Sequence, residues 1–233
     1  MDPLANLIIT SALFVGSHFA MSHPLRAPLV RRIGERGFQI AYAVIAIATF
    51  ILMVQAYRAT PAEAPLWPVG DGLWALASVI ILVASVLFIG SLIGNPALAA
   101  PGASAAAAGP ARGVFAITRH PMMWGFALWA AAHVMVVPVP AQIALSAALI
   151  ILALGGSRAQ DFKKARLMGP AWQDWTRRTA FFPFGGQLGG RLGWAAAIPR
   201  PHALFGGVAL WLIATWAHGA MGYMAAGIWR WLG

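Results

Sequence analysis

Cysteine is absent from this 233-residue chain, and charged residues are scarce. Without cysteine the chain has no disulfide, no thiolate metal site and no cysteine nucleophile. Charged residues make up 9% of the sequence, whereas soluble domains carry roughly a quarter. A water-exposed surface needs more charge than this, and 60% of the residues are hydrophobic. These deficits indicate an integral membrane protein whose main partner is the lipid bilayer.

Long apolar runs are the most prominent feature that the sequence does contain. A helix needs about 20 mostly apolar residues to cross the hydrocarbon core of a bilayer. We therefore expect an all-α, polytopic transmembrane helix bundle of about six spans, forming a single domain over residues 1–233. The predicted spans are residues 4–21, 38–57, 73–92, 122–137, 141–154 and 203–232.

Lysine and arginine are unevenly divided between the two sides of this predicted bundle. Fourteen of the 16 fall in the first, third and fifth connections, and the other two fall on the opposite side. Because positive residues mark the cytoplasmic side, we expect a multi-pass protein of a bacterial-type inner membrane with both termini in the periplasm. On this interpretation the net charge of +10 reflects the orientation of the protein in the membrane, and nucleic acid is not an expected partner.

The two longest basic-side connections differ in composition. The segment from residue 155 to 201 mixes charges with aromatic residues, which predicts amphipathic helical structure at the cytoplasmic interface over residues 157–201. Residues 94–113 are instead rich in alanine, glycine and proline, which predicts a flexible connection.

Histidines supply the candidate functional groups within the spans. Polar side chains are costly in a bilayer, and His18, His133 and His218 lie in predicted spans, whereas no carboxylate lies deep in one. A carboxylate pair for acid–base catalysis is therefore not expected. Two imidazoles can bind a metal ion or occupy the axial positions of a haem iron. The alternative is structural, with each histidine bonded to a backbone carbonyl, and the residues alone leave both interpretations open.

The most distinctive string runs from Thr118 to Gly125 and contains Arg119, His120 and Pro121. Pro121 suits the first turn of a helix, where its missing N–H costs nothing. Arg119 and His120 would then lie at the positive end of that helix, where an anionic headgroup or a cofactor phosphate can bind. A charged membrane anchor is the equally simple alternative.

Three blocks of this sequence resemble the NnrU family and, with it, the 15-cis-zeta-carotene isomerases. They cover residues 16–36, 113–133 and 158–184, and a weaker match includes His218. The resemblance implies haem b held between His18 and His133, with Arg119 and His120 shaping the mouth of the site. Simple depth in the bilayer leaves His218 open as the partner of His133. The implied activity is redox-dependent cis–trans isomerisation of a lipophilic polyene that enters from the bilayer.

Two other functions are implied by resemblance. The NnrU name is associated with nitrogen-oxide reduction, which implies a non-enzymatic accessory factor in denitrification. The second and third blocks are also similar to membrane methyltransferases of the isoprenylcysteine type, which use S-adenosylmethionine. Met123 stands where those enzymes have tyrosine, and their acidic pair is missing around Gln160 and Asp161. The sequence does not decide whether the chain is an enzyme, nor its oligomeric state.

Overall fold

Helices form 74% of the computed structural model, which describes residues 1–98 and 102–232. In chain order they are α1 (Pro3–Ser22), α2 (Arg26–Arg58), α3 (Asp71–Gly90), α4 (Ala103–Ala108), α5 (Val114–Ile117), α6 (Pro121–Val136), α7 (Pro140–Ile150), α8 (Gly156–Met168), α9 (Pro170–Arg178), α10 (Gly185–Leu188), α11 (Pro201–Ala220) and α12 (Trp229–Leu232). A π-helical turn, Ile151–Gly155, makes α7 and α8 one continuous helix. The described residues contain no strand, which confirms the all-α prediction.

Five helices are long and apolar enough to cross a membrane: α1, α2, α3, the joined α7–α8 helix and α11. The fourth predicted span, residues 122–137, corresponds to α6, an apolar helix of 16 residues. At 1.5 Å per residue it measures about 24 Å, which is shorter than a typical hydrocarbon core. The polytopic helical bundle predicted from the apolar runs is thus confirmed.

The last predicted span was too long. It was expected to reach residue 232, but α11 ends at Ala220, so His218 lies in its last turn rather than near the middle of the span. Gly222 and Gly227 then adopt positive φ angles of 78° and 60°, which L side chains rarely adopt, and the chain turns back towards α11. The turn could not be recognised from the sequence, because the residues that form it are as apolar as the preceding helix.

The basic-side connections also differ from expectation. Residues 157–168 continue the fifth span as α8, and only then does the chain form the amphipathic helix α9. The predicted flexible connection contains α4, which packs against α9. The part of that connection at residues 99–101 lies outside the described residues.

Close contacts between α3 and its neighbours hold the centre of the bundle. α3 packs against α6 and α11, and α1 packs against α2 and α7. Gly207 of α11 lies so near α3 that an added Cβ would be 2.6 Å from Val86 Cα. An added Cβ at Gly125 of α6 would be 3.0 Å from the Ala84 carbonyl oxygen. Small residues therefore allow these backbones to approach each other, as is common between membrane helices.

The connections between spans alternate between two ends of the bundle. At one end, which we call the basic end, Lys164 Nζ donates hydrogen bonds to the carbonyls of Pro96 and Leu98, at 3.0 and 2.8 Å. At the opposite end, the Leu66 N–H donates to the Pro138 carbonyl at 2.8 Å. Both termini also lie at the opposite end, because α1 begins there and Arg230 pairs with Asp71.

Candidate functional site

A cavity of about 620 Å³ lies between α1, α2, α6 and the α7–α8 helix. Its size is within the range of about 300–1,000 Å³ that is usual for small-molecule and cofactor sites. Most of its wall is aromatic or aliphatic, with contributions from Phe14, Phe50, Met123, Phe126, Trp129 and Leu152. We call this space the central cavity, and its walls favour a large apolar ligand.

The end of the central cavity nearest the basic end is polar. Ser22, His23, Gln160 and Lys163 line it there, where α1 ends and α8 passes by. Burial and the neighbouring Lys163 ammonium both lower the pKa of His23, because each disfavours the protonated imidazole. The central cavity combines apolar walls with a polar end where Lys163 supplies a positive charge, an arrangement suited to an amphiphile with a negative group.

His18 lies in the wall of the central cavity, one turn before the end of α1. Its Nδ1 is 2.7 Å from the Phe14 carbonyl oxygen. A carbonyl only accepts hydrogen bonds, so Nδ1 carries the proton and Nε2 keeps its lone pair. Metal-binding histidines in proteins commonly have this arrangement, in which a backbone carbonyl fixes the tautomer and the ring. Tyr42 packs edge-on against the ring, with centroids 5.6 Å apart.

The π-helical turn between α7 and α8 also borders the central cavity. Leu152 and Ala153 of this turn line it, and Gly155 faces Phe19, whose ring an added Cβ would approach to 3.1 Å. Single π-turns inside α-helices occur often at functional sites. Here the turn packs against α1, which carries His18, and forms part of the wall of the central cavity.

His133 and His218 lie close together, away from His18. Their ring centroids are 6.2 Å apart, and the His133 ring packs at an angle of 36° against Trp129, with centroids 3.9 Å apart. His133 Nδ1 donates to the Trp129 carbonyl at 2.7 Å, so its Nε2 is also free to accept. Trp129 lines the central cavity, but His133 lies one turn further along α6 and does not. Within residues 1–98 and 102–232, no three histidine, cysteine or acidic residues form a metal-binding group.

Arg119 and His120 form a buried cluster with Asp161 of α8. The Arg119 Nε–H donates to both carboxylate oxygens of Asp161, at 3.0 Å each, and His120 Nε2 lies 2.8 Å from Oδ1. All three side chains are buried, at 2–7% exposure. Phe181 covers the cluster, because the Arg119 guanidinium lies over its ring at 5.5 Å. Arg119 therefore neutralises the Asp161 carboxylate and His120 hydrogen-bonds to it, and neither residue lines the central cavity.

Comparison with known families agrees with this architecture. The family model described as "NnrU protein" matches residues 6–226, nearly the whole chain. The chain belongs to the NnrU family. No curated protein and no solved structure matches it. The NnrU resemblance drawn from the sequence is thus confirmed at the level of the family.

Several residues of this NnrU protein gained importance only from the structure. Tyr42 and Lys163 line the central cavity, and Asp161 organises the buried cluster. Asp161 carried one signal in the sequence, because it is one of only six acidic residues and lies within a strongly basic segment. Tyr42 and Lys163 carried none, since their roles depend on the packing of α2 and α8 around α1.

Proposed function

We propose that this NnrU protein binds haem b in the central cavity, with His18 as an iron ligand. The observation that supports this most is the free Nε2 of His18 in the wall of an apolar cavity of about 620 Å³. Haem b is a flat apolar macrocycle that carries two propionates at one edge. Aromatic walls suit the macrocycle, and Lys163 and His23 would hold the propionates at the polar end.

The second iron ligand is proposed from the family resemblance, which implies His133. His133 does not line the central cavity, so this ligation requires α6 to shift relative to α1. His133 shares with His18 the Nδ1–H bond to a carbonyl four residues earlier, so both rings present Nε2. The neighbouring His218 is the alternative partner, since its ring centroid is 6.2 Å from that of His133. Variants of all three histidines distinguish these arrangements, as described below.

A lipophilic polyene is the proposed substrate, and its cis–trans isomerisation is the proposed reaction. When bound, haem supplies one-electron or Lewis-acid chemistry at its iron. The chain's own contribution is to hold a hydrocarbon that enters from the bilayer against Phe50, Phe126 and Trp129, which line the central cavity and are also exposed at the surface of the bundle. Ala130 stands where the plant isomerases have a cysteine, so exchange of a ligand to sulfur is not part of the proposed reaction.

Titration of haem into the purified protein in detergent tests the proposed cofactor. We expect one haem per chain and a Soret band, with haem affinity falling at least about tenfold in His18→Ala. His202→Ala is the matched control, because His202 is exposed and lies outside the central cavity. If His133 is the second ligand, His133→Ala converts a six-coordinate spectrum to a five-coordinate one, and His218→Ala does not. Parent protein that does not bind haem would refute the proposal.

The propionate contact has its own test. Lys163→Gln should weaken binding of haem about tenfold, because a charge-assisted hydrogen bond is lost. It should leave binding of haem dimethyl ester unchanged, since the ester has no charge for Lys163 to bind. Equal effects on both compounds would show that Lys163 only supports the fold.

Turnover separates the isomerase from a haem protein of another kind. The haem-loaded, reduced protein should convert a cis-configured carotene to a more trans isomer, followed by chromatography and absorption. Haem binding without any conversion would contradict the proposed reaction while leaving the proposed cofactor in place.

A further inference from the structure

A second, smaller cavity of about 210 Å³ lies at the basic end, between the end of α3 and the start of α11. Arg112, Arg200 and His202 line it, together with Trp175 of α9. None of its lining residues is acidic. It is separate from the central cavity and shares no lining residue with it. We call it the arginine cavity.

The backbone around Gly113 holds the two arginines at this cavity. Gly113 has a φ of 61°, and its N–H donates to the Ala196 carbonyl at 2.7 Å. The Arg200 backbone nitrogen would be 3.6 Å from a Cβ added at Gly113. The chain on either side of Gly113 is thereby fixed against the segment that leads into α11. Arg112 and Arg200 consequently reach the same cavity.

Neither arginine has an acidic partner in the part of the chain that the structure describes. Both arginines are exposed, and because no acidic residue lines the cavity their two guanidiniums leave it with a net positive charge. Guanidinium groups also present paired N–H donors that match the oxygens of a phosphate. The charge of the arginine cavity thus favours a phosphate-like anion.

Trp175 and the start of α11 also border the same cavity. Trp175 is 2% exposed, and its indole N–H has no hydrogen-bond partner among the described residues, as is also the case for Trp172 and Trp211. An unpartnered buried donor is unusual in proteins, and an anion bound in the cavity that Trp175 lines would supply an acceptor beside it. The 20-residue helix α11 begins here with Pro201 and directs its positive end towards the cavity.

We propose that the arginine cavity binds a phosphate group. Its volume suits a phosphate with a few attached atoms and is small for a nucleotide. Ile93 lines the cavity and is exposed beside the last turn of a membrane span. A phospholipid headgroup with its acyl chains along α3 can supply the phosphate, and so can a free phosphate ion. The site requires no haem and does not depend on the function proposed above.

The test uses the full-length protein, stripped of lipid in an uncharged detergent. Native mass spectrometry measures adducts with phosphatidylglycerol and with diacylglycerol, which lacks the phosphate, and inorganic phosphate is added as a competitor. The variant is Arg112→Gln/Arg200→Gln. The control Arg31→Gln/Arg36→Gln removes the same charge from two exposed residues of α2, outside the arginine cavity.

We expect phosphatidylglycerol to bind the parent at least about tenfold more tightly than it binds Arg112→Gln/Arg200→Gln. The control should bind phosphatidylglycerol with an affinity within about twofold of that of the parent. Diacylglycerol should bind the parent, the variant and the control with equal affinity. If millimolar phosphate displaces phosphatidylglycerol, a free phosphate ion is enough to occupy the arginine cavity. If it does not, the cavity requires the lipid headgroup. Equal loss in the control, or no loss in either variant, would overturn the proposal.

Discussion

His120 and His18 both lie near the basic end of the bundle, but their imidazoles have different partners. His120 Nε2 meets the Asp161 carboxylate, which Arg119 also binds, and the ring is 2% exposed. His18 donates to its own helix and keeps Nε2 at the wall of the central cavity. One histidine belongs to a cluster whose charges neutralise each other, and the other presents an unused electron pair to a ligand-sized space.

This difference separates a structural role from a binding role. A buried ion pair with matched hydrogen bonds holds segments in place, and loss of one partner leaves a buried charge. The Arg119–His120–Asp161 cluster joins the start of α6 to α8, and the Arg119 N–H also donates to the Ala180 carbonyl. The string that was most distinctive in the sequence is therefore a junction between segments at the basic end.

The largest predicted effect concerns this junction. Asp161→Asn leaves the Arg119 guanidinium buried without a carboxylate, so we expect a loss of about 3–5 kcal/mol in the free energy of unfolding. Thermal unfolding in detergent, followed by circular dichroism, measures it. Asp174→Asn is the matched control, because Asp174 pairs with Arg177 at the exposed surface and such pairs contribute little. A stability like that of the parent for Asp161→Asn would mean that the cluster does not hold the basic end.

An intermediate loss of stability is expected from a substitution within the membrane-spanning helices, which are held together by close packing rather than by ion pairs. Gly207→Ala places a Cβ 2.6 Å from Val86 Cα, so α11 must move away from α3 at a cost of about 1–3 kcal/mol. Gly219→Ala in the same helix has nothing within 4 Å and should be neutral or slightly stabilising. The unfolding midpoints of both variants measure the contrast. If the two changes have equal effects, the α3–α11 contact is not as close as described.

The smallest effect is a pH dependence at His23. Burial and Lys163 lower its pKa below the ordinary value of 6.5, so the folded state prefers the neutral imidazole. The stability that His23 contributes is therefore fully present above pH 6.5 and is lost as the pH falls through the lowered pKa. His23→Gln should flatten the decline in unfolding midpoint on the acidic side. An unchanged decline would assign the pH dependence to other groups.

The spans were predictable because a bilayer imposes a minimum length on an apolar helix. The same rule failed at α11, since residues 221–228 are apolar enough to extend a run while Gly222 and Gly227 turn the chain. The partition of lysine and arginine predicts which end of the bundle faces the cytoplasm, and that orientation stays a prediction. The partition carries no information on which cations are buried, such as Lys164, or paired, such as Arg119.

The candidate site was predictable only as a set of histidines. Composition singled out His18, His133 and His218 because imidazoles are rare within spans. The structure adds that His133 and His218 are neighbours and that, of these three histidines, His18 alone lines the central cavity. Asp161 could not be assigned to His120 from the sequence, because 41 residues separate them and the contact depends on how α8 packs.

The most direct test of the contrast between the two histidines measures two properties of two variants. For His18→Ala and His120→Asn, haem titration gives the Soret band and thermal unfolding gives the stability of the protein without haem. We predict that His18→Ala loses haem binding and unfolds like the parent, whereas His120→Asn is destabilised and still forms the Soret band at temperatures where it remains folded. Retained haem binding by His18→Ala, or lost haem binding by folded His120→Asn, would contradict the assignment of these roles.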